Sequence, residues 1–213
     1  MKKIKTVFKL LLVACIGVLL YVCVESIAKS IRFDEVKDVR EKAIKSRLIE
    51  IRKAQIEFKN RKGVHAGSFD ELIGFLKNDS LSYIVKEGIL TDEQLQSGMT
   101  EREAVKKGFI KRDTIWVNAK DTLFSKTFNA DSLRFVPMAI TGTQFQMDTA
   151  TYFSPSGYTI YLFEANVPFD FYLWDQDAQQ VANLNDAAKK LDKFPGLRVG
   201  SVTEVNNNAG NWE

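Results

Sequence analysis

The sequence predicts an α+β protein in which an N-terminal transmembrane helix continues into a long amphipathic helix packed on a mostly antiparallel sheet. Three observations lead there. Leu10 to Val24 is an apolar run of fifteen residues without a charge, and it passes with no loop signal into a helix-period pattern reaching Lys62. Beyond about residue 110 the apolar residues change to the period of two that strands show. At 213 residues the chain is long enough for one well-cored domain beyond an anchor. The expected boundaries are a cytoplasmic basic stub (1–9), a transmembrane helix (10–28), the amphipathic helix (29–63), and an α+β extracytoplasmic domain (64–213) packed with that helix.

The N-terminus reads M-K-K-I-K-T-V-F-K before the apolar run. Leu10, Leu11, Leu12, Val13, Ile16, Val18, Leu19, Leu20 and Val22 are the expected anchor residues. With Val7 and Phe8 counted and Lys9 snorkelling, the run approaches the roughly 20 residues that span hydrocarbon. Lysines before it and Glu25 after it place the N-terminus in the cytoplasm and the remainder outside. The expected location is the bacterial inner membrane, crossed once. Two rivals stay open. A cleavable signal peptide requires small residues after the run, and Ser26-Ile27-Ala28 is a poor match. Leu12-Val13-Ala14-Cys15 resembles a lipobox, yet nine more apolar residues follow Cys15. Cys15 otherwise reads as a small hydrophobe.

Composition excludes several classes. With Lys2, Lys3, Lys5 and Lys9 set aside, 26 basic residues face 27 acidic ones, so no concentrated basic surface speaks for nucleic acid. Cys15 and Cys23 are the only cysteines. Eight positions apart on one helix is about 12 Å of rise, too far to pair. The part beyond the anchor therefore has no disulfide, cysteine metal site or thiol nucleophile.

Along the helix, Val36, Val39, Ala43/Ile44, Leu48, Ile51, Ala54 and Phe58 make one stripe, with Ile44, Leu48, Ile51 and Phe58 as its core or interface residues. Arg61-Lys62-Gly63 supplies a cationic last turn and a glycine stop. Ser68-Phe69-Asp70-Glu71 is a capping box opening a helix over Phe69 to Lys77, buried through Phe69, Leu72, Ile73, Phe75 and Leu76. Leu81 to Lys86 has strand composition. Thr91 with Gln94 and Thr100 with Glu103 cap two helical turns, Asp92 to Gln96 and Glu101 to Lys107. Strands are expected over Asp113 to Ala119, with Ile115 and Val117 on one face, and over Leu133 to Met138, Gln144 to Tyr152, Tyr158 to Ala165 and Leu197 to Val202. Ser154-Pro155-Ser156-Gly157 turns the third into the fourth as a hairpin. A helix is expected over Asp186 to Lys193. No internal repeat or low-complexity linker is present, which argues for one domain.

Ile51-Arg52-Lys53-Ala54-Gln55, Phe58, Gly63 and Ser68-Phe69-Asp70-Glu71-Leu72, on an apolar helix that runs into an amphipathic one and then a sheet, resemble the type IV pilins and the pseudopilins of type II secretion. The local wording covers residues 51–72. The resemblance implies a pilin-like fold and a place in a secretion or surface-assembly apparatus. Pilins also carry a glycine at a cleaved bond and a glutamate five residues into the mature chain. Here Gly17 lies inside the run and no acid precedes Glu25.

No catalytic motif is visible, so no enzymatic role and no cofactor are expected. His65 is the only histidine and follows a helix stop, where a cap or an exposed side chain is the ordinary reading. Asp175 and Asp177, with Asn183 and Asp186, gather oxygen ligands that could hold calcium, but the spacing matches no EF-hand loop. Turn and cap roles fit them better. Tyr152, Phe153, Tyr158, Tyr161, Phe163, Phe169, Phe171, Tyr172 and Trp174 suggest an aromatic platform, although at strand spacing half would enter the core. The expected role is protein–protein contact at the membrane, with other envelope proteins or a second copy as partners and no nucleic acid. The alternative is an envelope-anchored module that binds glycan or peptide.

Overall fold

The computed structural model describes residues 2–92, 96 and 98–213, the side chains at 2–8, 10, 83 and 84 excepted. It is α+β, with a long N-terminal helix and antiparallel sheets. Helix α1 runs unbroken over Lys2–Lys62. No break separates its apolar part from its charged part. It stops at Gly63, whose φ of 84° is the left-handed value glycine reaches without a Cβ penalty, and whose N–H donates to the Lys59 carbonyl at 2.8 Å. The chain divides into two compact units, Met1–Glu50 with Phe135–Gln146 and Glu164–Glu213, and Ile51–Arg134 with Met147–Phe163.

In the first unit, Phe33, Ile44 and Leu48 of α1 are buried. Val39, expected on the stripe, is 58% exposed. At 100° per residue position 40, not 39, lies in line with 33, 44 and 48, and that place is taken by Arg40. The later elements of this unit are the second half of β4 (Thr159–Pro168), a helical turn α5 (Phe169–Tyr172), helix α6 (Ala178–Lys190) and strand β5 (Gly196–Gly200). β4 and β5 pair antiparallel from Glu164↔Gly200 to Pro168↔Gly196. Gly196 permits that approach, since a Cβ there would lie 2.2 Å from the Val167 carbonyl. The tail lies along β5: the Gly200 N–H donates to Ala209 O and the Asn211 amide to Gly196 O, which occupies an otherwise open edge.

Three expectations fail in the later part of the chain. Leu133 to Met138 is not a strand. A 3₁₀ turn covers Ala130–Arg134, Phe135 makes one isolated bridge to Gln144, Pro137 has no N–H to give a ladder, and Met138 turns the chain at φ 58°. The helix expected from Asp186 starts at Ala178, because Asp177 Oδ1 caps it by accepting the N–H groups of Gln179 and Gln180. Asn183 and Asp186 are thus mid-helix residues. Phe169 to Tyr172 is a helical turn, so its aromatics do not alternate as on a strand.

The second unit takes the end of α1, helix α2 (Phe69–Asn78), the ribbon β1 (Ser80–Glu87) and β2 (Lys111–Asn118), the short helices α3 (Glu101–Lys106) and α4 (Ala119–Leu123), strand β3 (Gln146–Phe153) and the start of β4. Sheet order is β1-β2 and β3-β4-β5, with β3 turned into β4 at Ser154-Pro155-Ser156-Gly157, where the Ser154 N–H donates to Tyr158 O. Ile51, Ala54 and Phe58 are buried, and Phe58 meets Phe75 edge to face at 5.2 Å. α2 buries the five residues expected of it. Its Ser68 cap accepts from Glu71 N–H, while the Glu71 carboxylate reaches back to Gly67 N–H, one residue earlier than a capping box requires. Thr100 and Glu103 make the full reciprocal box. The paired cap at Thr91 and Gln94, and the turn it would open, fall largely outside the described residues. β1 and β2 pair in register from Ser80↔Asn118 to Glu87↔Lys111. Ile115, expected on one face with Val117, is 47% exposed, because among the described residues no further strand joins this two-stranded ribbon.

Candidate functional site

The residues expected to form the anchor are exposed wherever their side chains are described. Leu11, Leu12, Val13, Ile16, Val18, Leu19, Leu20 and Val22 are all exposed, from 49% at Ile16 to 65% at Val13, and the Leu10 side chain is among those not described. Within α1 lies a stretch long and apolar enough to cross a membrane, none of it buried in the protein. A contiguous apolar cylinder of this size is far larger than the scattered apolar residues normal on a soluble surface. Cys15 and Cys23 are free thiols on the same cylinder. A Glu25–Arg32 ion pair at 3.7 Å marks where the helix surface becomes polar.

Sixteen residues past Val24, α1 carries a clamp. Arg40 sends Nη1 to Asp175 Oδ1 at 2.5 Å and Nη2 to Oδ2 at 2.8 Å, and Nη1 also donates to the Tyr172 carbonyl at 2.6 Å. This is the fork geometry that only guanidinium supplies. The hydrogen bonds from Arg40 hold the Asp175 carboxyl well below the usual carboxylate range, and the same pairing raises Arg40. The next residue, Glu41, accepts a long hydrogen bond from the Tyr172 hydroxyl (3.4 Å) and an ion pair from Lys45 (2.9 Å). Burial, then the charge of Glu41, pushes the Tyr172 phenol far above its ordinary value, so it stays protonated. All these groups satisfy one another. The arrangement fixes α1 against α5 and leaves no free acid, base or electrophile.

The residues weighed for calcium are engaged with other groups. Asp175 is consumed by Arg40 and Asp177 by the α6 cap, while Asn183 accepts from Gln179 inside the helix at 3.1 Å. Among the described residues no group of three or more His, Cys, Asp or Glu is placed to hold a metal.

His65 is buried rather than exposed. Its ring lies 4.7 Å from that of Phe163, and it lines a half-open cleft of about 340 Å³ with Thr149, Thr151 and Tyr161. Neither ring nitrogen completes a hydrogen bond, although the carbonyls of Gln55 and Tyr161 face it. Burial, and then the charge of Lys59, lowers its pKa to about 4. At neutral pH it is an uncharged ring, and among the described residues no carboxylate bonds it.

The aromatic residues divide in the same way. Phe163 and Tyr172 are fully buried, while Phe153, Tyr158 and Trp174 project into solvent. Trp174 stands 58% exposed beside a cleft lined by Asp170, Leu173, Gln176, Val181 and Asn185.

Two positioning residues escaped the sequence reading. Arg40 was legible as the residue seven after Phe33 and four before Ile44. Gln55, fully buried on the apolar stripe, uses both ends of its amide on Ala66, accepting from its N–H at 3.0 Å and donating to its carbonyl at 2.9 Å. A polar residue between Ile51 and Phe58 was the available signal.

No protein-family model, curated protein or solved structure matches the chain.

Proposed function

We propose that this chain is a single-pass membrane protein of the bacterial inner membrane whose domain acts outside the cytoplasm through protein–protein contacts, as a pilin-like component of a secretion or surface-assembly apparatus. The observation that carries the reading is the exposed apolar segment of α1, continuous with helix residues that are buried in each of the two units. The lysines at 2, 3, 5 and 9 hold the N-terminus in the cytoplasm. The long helix leading into antiparallel strands supports the pilin-like part. Without the glycine and glutamate of prepilins, the chain would stay uncleaved and work from the membrane rather than within a filament. The contact surface is the face of the β1–β2 ribbon on which Val85 and Ile115 stand together, both exposed.

Alkaline carbonate extraction of membranes tests the anchor. The wild-type protein is expected to stay in the pellet, and the double substitution Val13→Lys with Leu20→Lys to release it, each lysine costing about 2.5–3.5 kcal/mol at the centre of a span. Release of the wild type contradicts the anchor. Native electrophoresis of gently solubilised membranes tests the contacts: a species larger than the monomer is expected, and Val85→Ser with Ile115→Ser is expected to dissolve it.

A further inference from the structure

We propose that α1 pairs in parallel with α1 of a second copy of this chain, along Val13, Gly17, Leu20, Val24, Ile27 and Ile31. These residues follow one another at alternate steps of four and three, the repeat that keeps one seam of a helix facing its neighbour. The five large ones are exposed, from 54% at Ile31 to 66% at Val24. At about 100° per residue the seam lies on average about 160° around the helix from Phe33. Phe33, Ile44 and Leu48 are buried in the first unit. The rest of that unit therefore packs on the opposite side of α1 and leaves the seam open.

Inside the hydrocarbon, lipid covers such a face and no partner is required. Ile27 and Ile31 lie past Glu25, in a stretch up to Arg32 where every other residue except Ala28 is polar. Ile31 is about 10 Å along the axis from Val24, where headgroups give way to water. Glu25, Ser26, Lys29, Ser30 and Arg32 all stand about 100° or more from the middle of the seam, and Glu25 and Arg32 pair with each other at 3.7 Å. Lipid accounts for the lower part of the seam only, whereas one partner helix accounts for all of it. That helix has to be apolar through the bilayer, stay apolar for two turns beyond, and stop there, because Asp34 and Asp38 take the next two steps and are exposed. A second copy in the same orientation matches each of these boundaries by construction. A two-fold axis along the membrane normal sets seam on seam, with the packed face of each α1 turned outward. The like charges at Asp34 and Asp38 end the contact. A Cβ at Gly17 would meet nothing within 4 Å in the single chain, so the fold of one copy does not call for glycine there. Between two helices it lets the backbones approach closely. The inference rests on the proposed anchor for the parallel orientation, and it names one partner of that reading.

The experiment is copper-phenanthroline oxidation of intact membranes holding full-length single-cysteine variants, in a background where Cys15 and Cys23 are alanine. Ile27→Cys and Ile31→Cys are expected to give about fivefold more disulfide-linked dimer than Ser26→Cys and Lys29→Cys, which lie on the other side of the helix. Adding Gly17→Ile to the Ile27→Cys chain is expected to lower the dimer about threefold. Dimer formed equally at all four positions, dimer at none of them, an adduct of a mass other than twice the chain, or a yield that Gly17→Ile leaves unchanged overturns the proposal. Carbonate extraction of the same membranes reads the anchor separately, since its failure removes the chain from the pellet whether or not dimer forms. Both copies are confined to one plane in the intact membrane, while micelles dilute a contact of two helices. Native electrophoresis of the ribbon variants is therefore a separate readout.

Discussion

Arg40 serves two acceptors that water reaches only in part, the Asp175 carboxylate and the Tyr172 carbonyl. Truncation would leave both without their donor, so Arg40→Ala is expected to cost about 2–3 kcal/mol in urea unfolding of the micelle-bound protein. Arg40→Lys keeps the charge and loses the fork, and should fall between that variant and the wild type. His65 supplies a pH signature. Its folded pKa of about 4 lies below the unfolded value of 6.5, so the unfolded chain binds the extra proton first. The stability that depends on a neutral ring is complete above pH 6.5 and is lost progressively as the pH falls towards 4. Allowing for solvent at the cleft mouth, the loss is about 2 kcal/mol. Melting of His65→Gln should lack this fall, and a wild-type slope persisting in that variant would assign it to another group. These roles were only partly legible. The sequence shows a lone histidine after a helix stop, but its burial depends on Phe163 arriving from a strand 98 positions further on, which no local pattern encodes.

At the scale of elements, the buried positions Ile44, Leu48 and Ile51 belong to a helix face that other segments cover. Ile44→Ser, Leu48→Ser and Ile51→Ser together should abolish cooperative unfolding, since a single large-to-small change at such a site costs about 2–5 kcal/mol. A folded triple variant that only loses its partners would show the stripe to be an interface. Gln55→Leu should cost about 1–3 kcal/mol by stranding the Ala66 N–H and carbonyl. α1, α2 and the Ser154–Gly157 turn were readable because periodicity, caps and glycine act within a few residues. The strand expected at Leu133 to Met138 was misread because β-branched and aromatic composition was weighed above Pro137, which forbids a ladder. The start of α6 at Ala178 is not read from the sequence, because a turn or cap role for Asp177 does not by itself say which helix it opens. Val39 was placed on the stripe, and Arg40 left off it, because composition was allowed to choose between neighbours that helix geometry distinguishes.

At the scale of the molecule, the α+β class and the single apolar segment followed from the sequence because both rest on long runs of periodic residues. The division into two compact units did not. Each unit draws on separated stretches of chain, and Phe135–Gln146 and Glu164–Glu213 join the first unit from either side of a segment belonging to the second. Such interleaving leaves no linker or composition shift to be read. The central claim is that α1 crosses the membrane once and leaves the domain outside the cytoplasm. The most direct measurement labels Ser156→Cys with a membrane-impermeant maleimide in intact spheroplasts, in a background where Cys15 and Cys23 are alanine. Ser156 sits in the exposed turn between β3 and β4, far in sequence from the anchor. Full labelling without lysis is the expected result, and labelling that appears only after the spheroplasts are broken would contradict it.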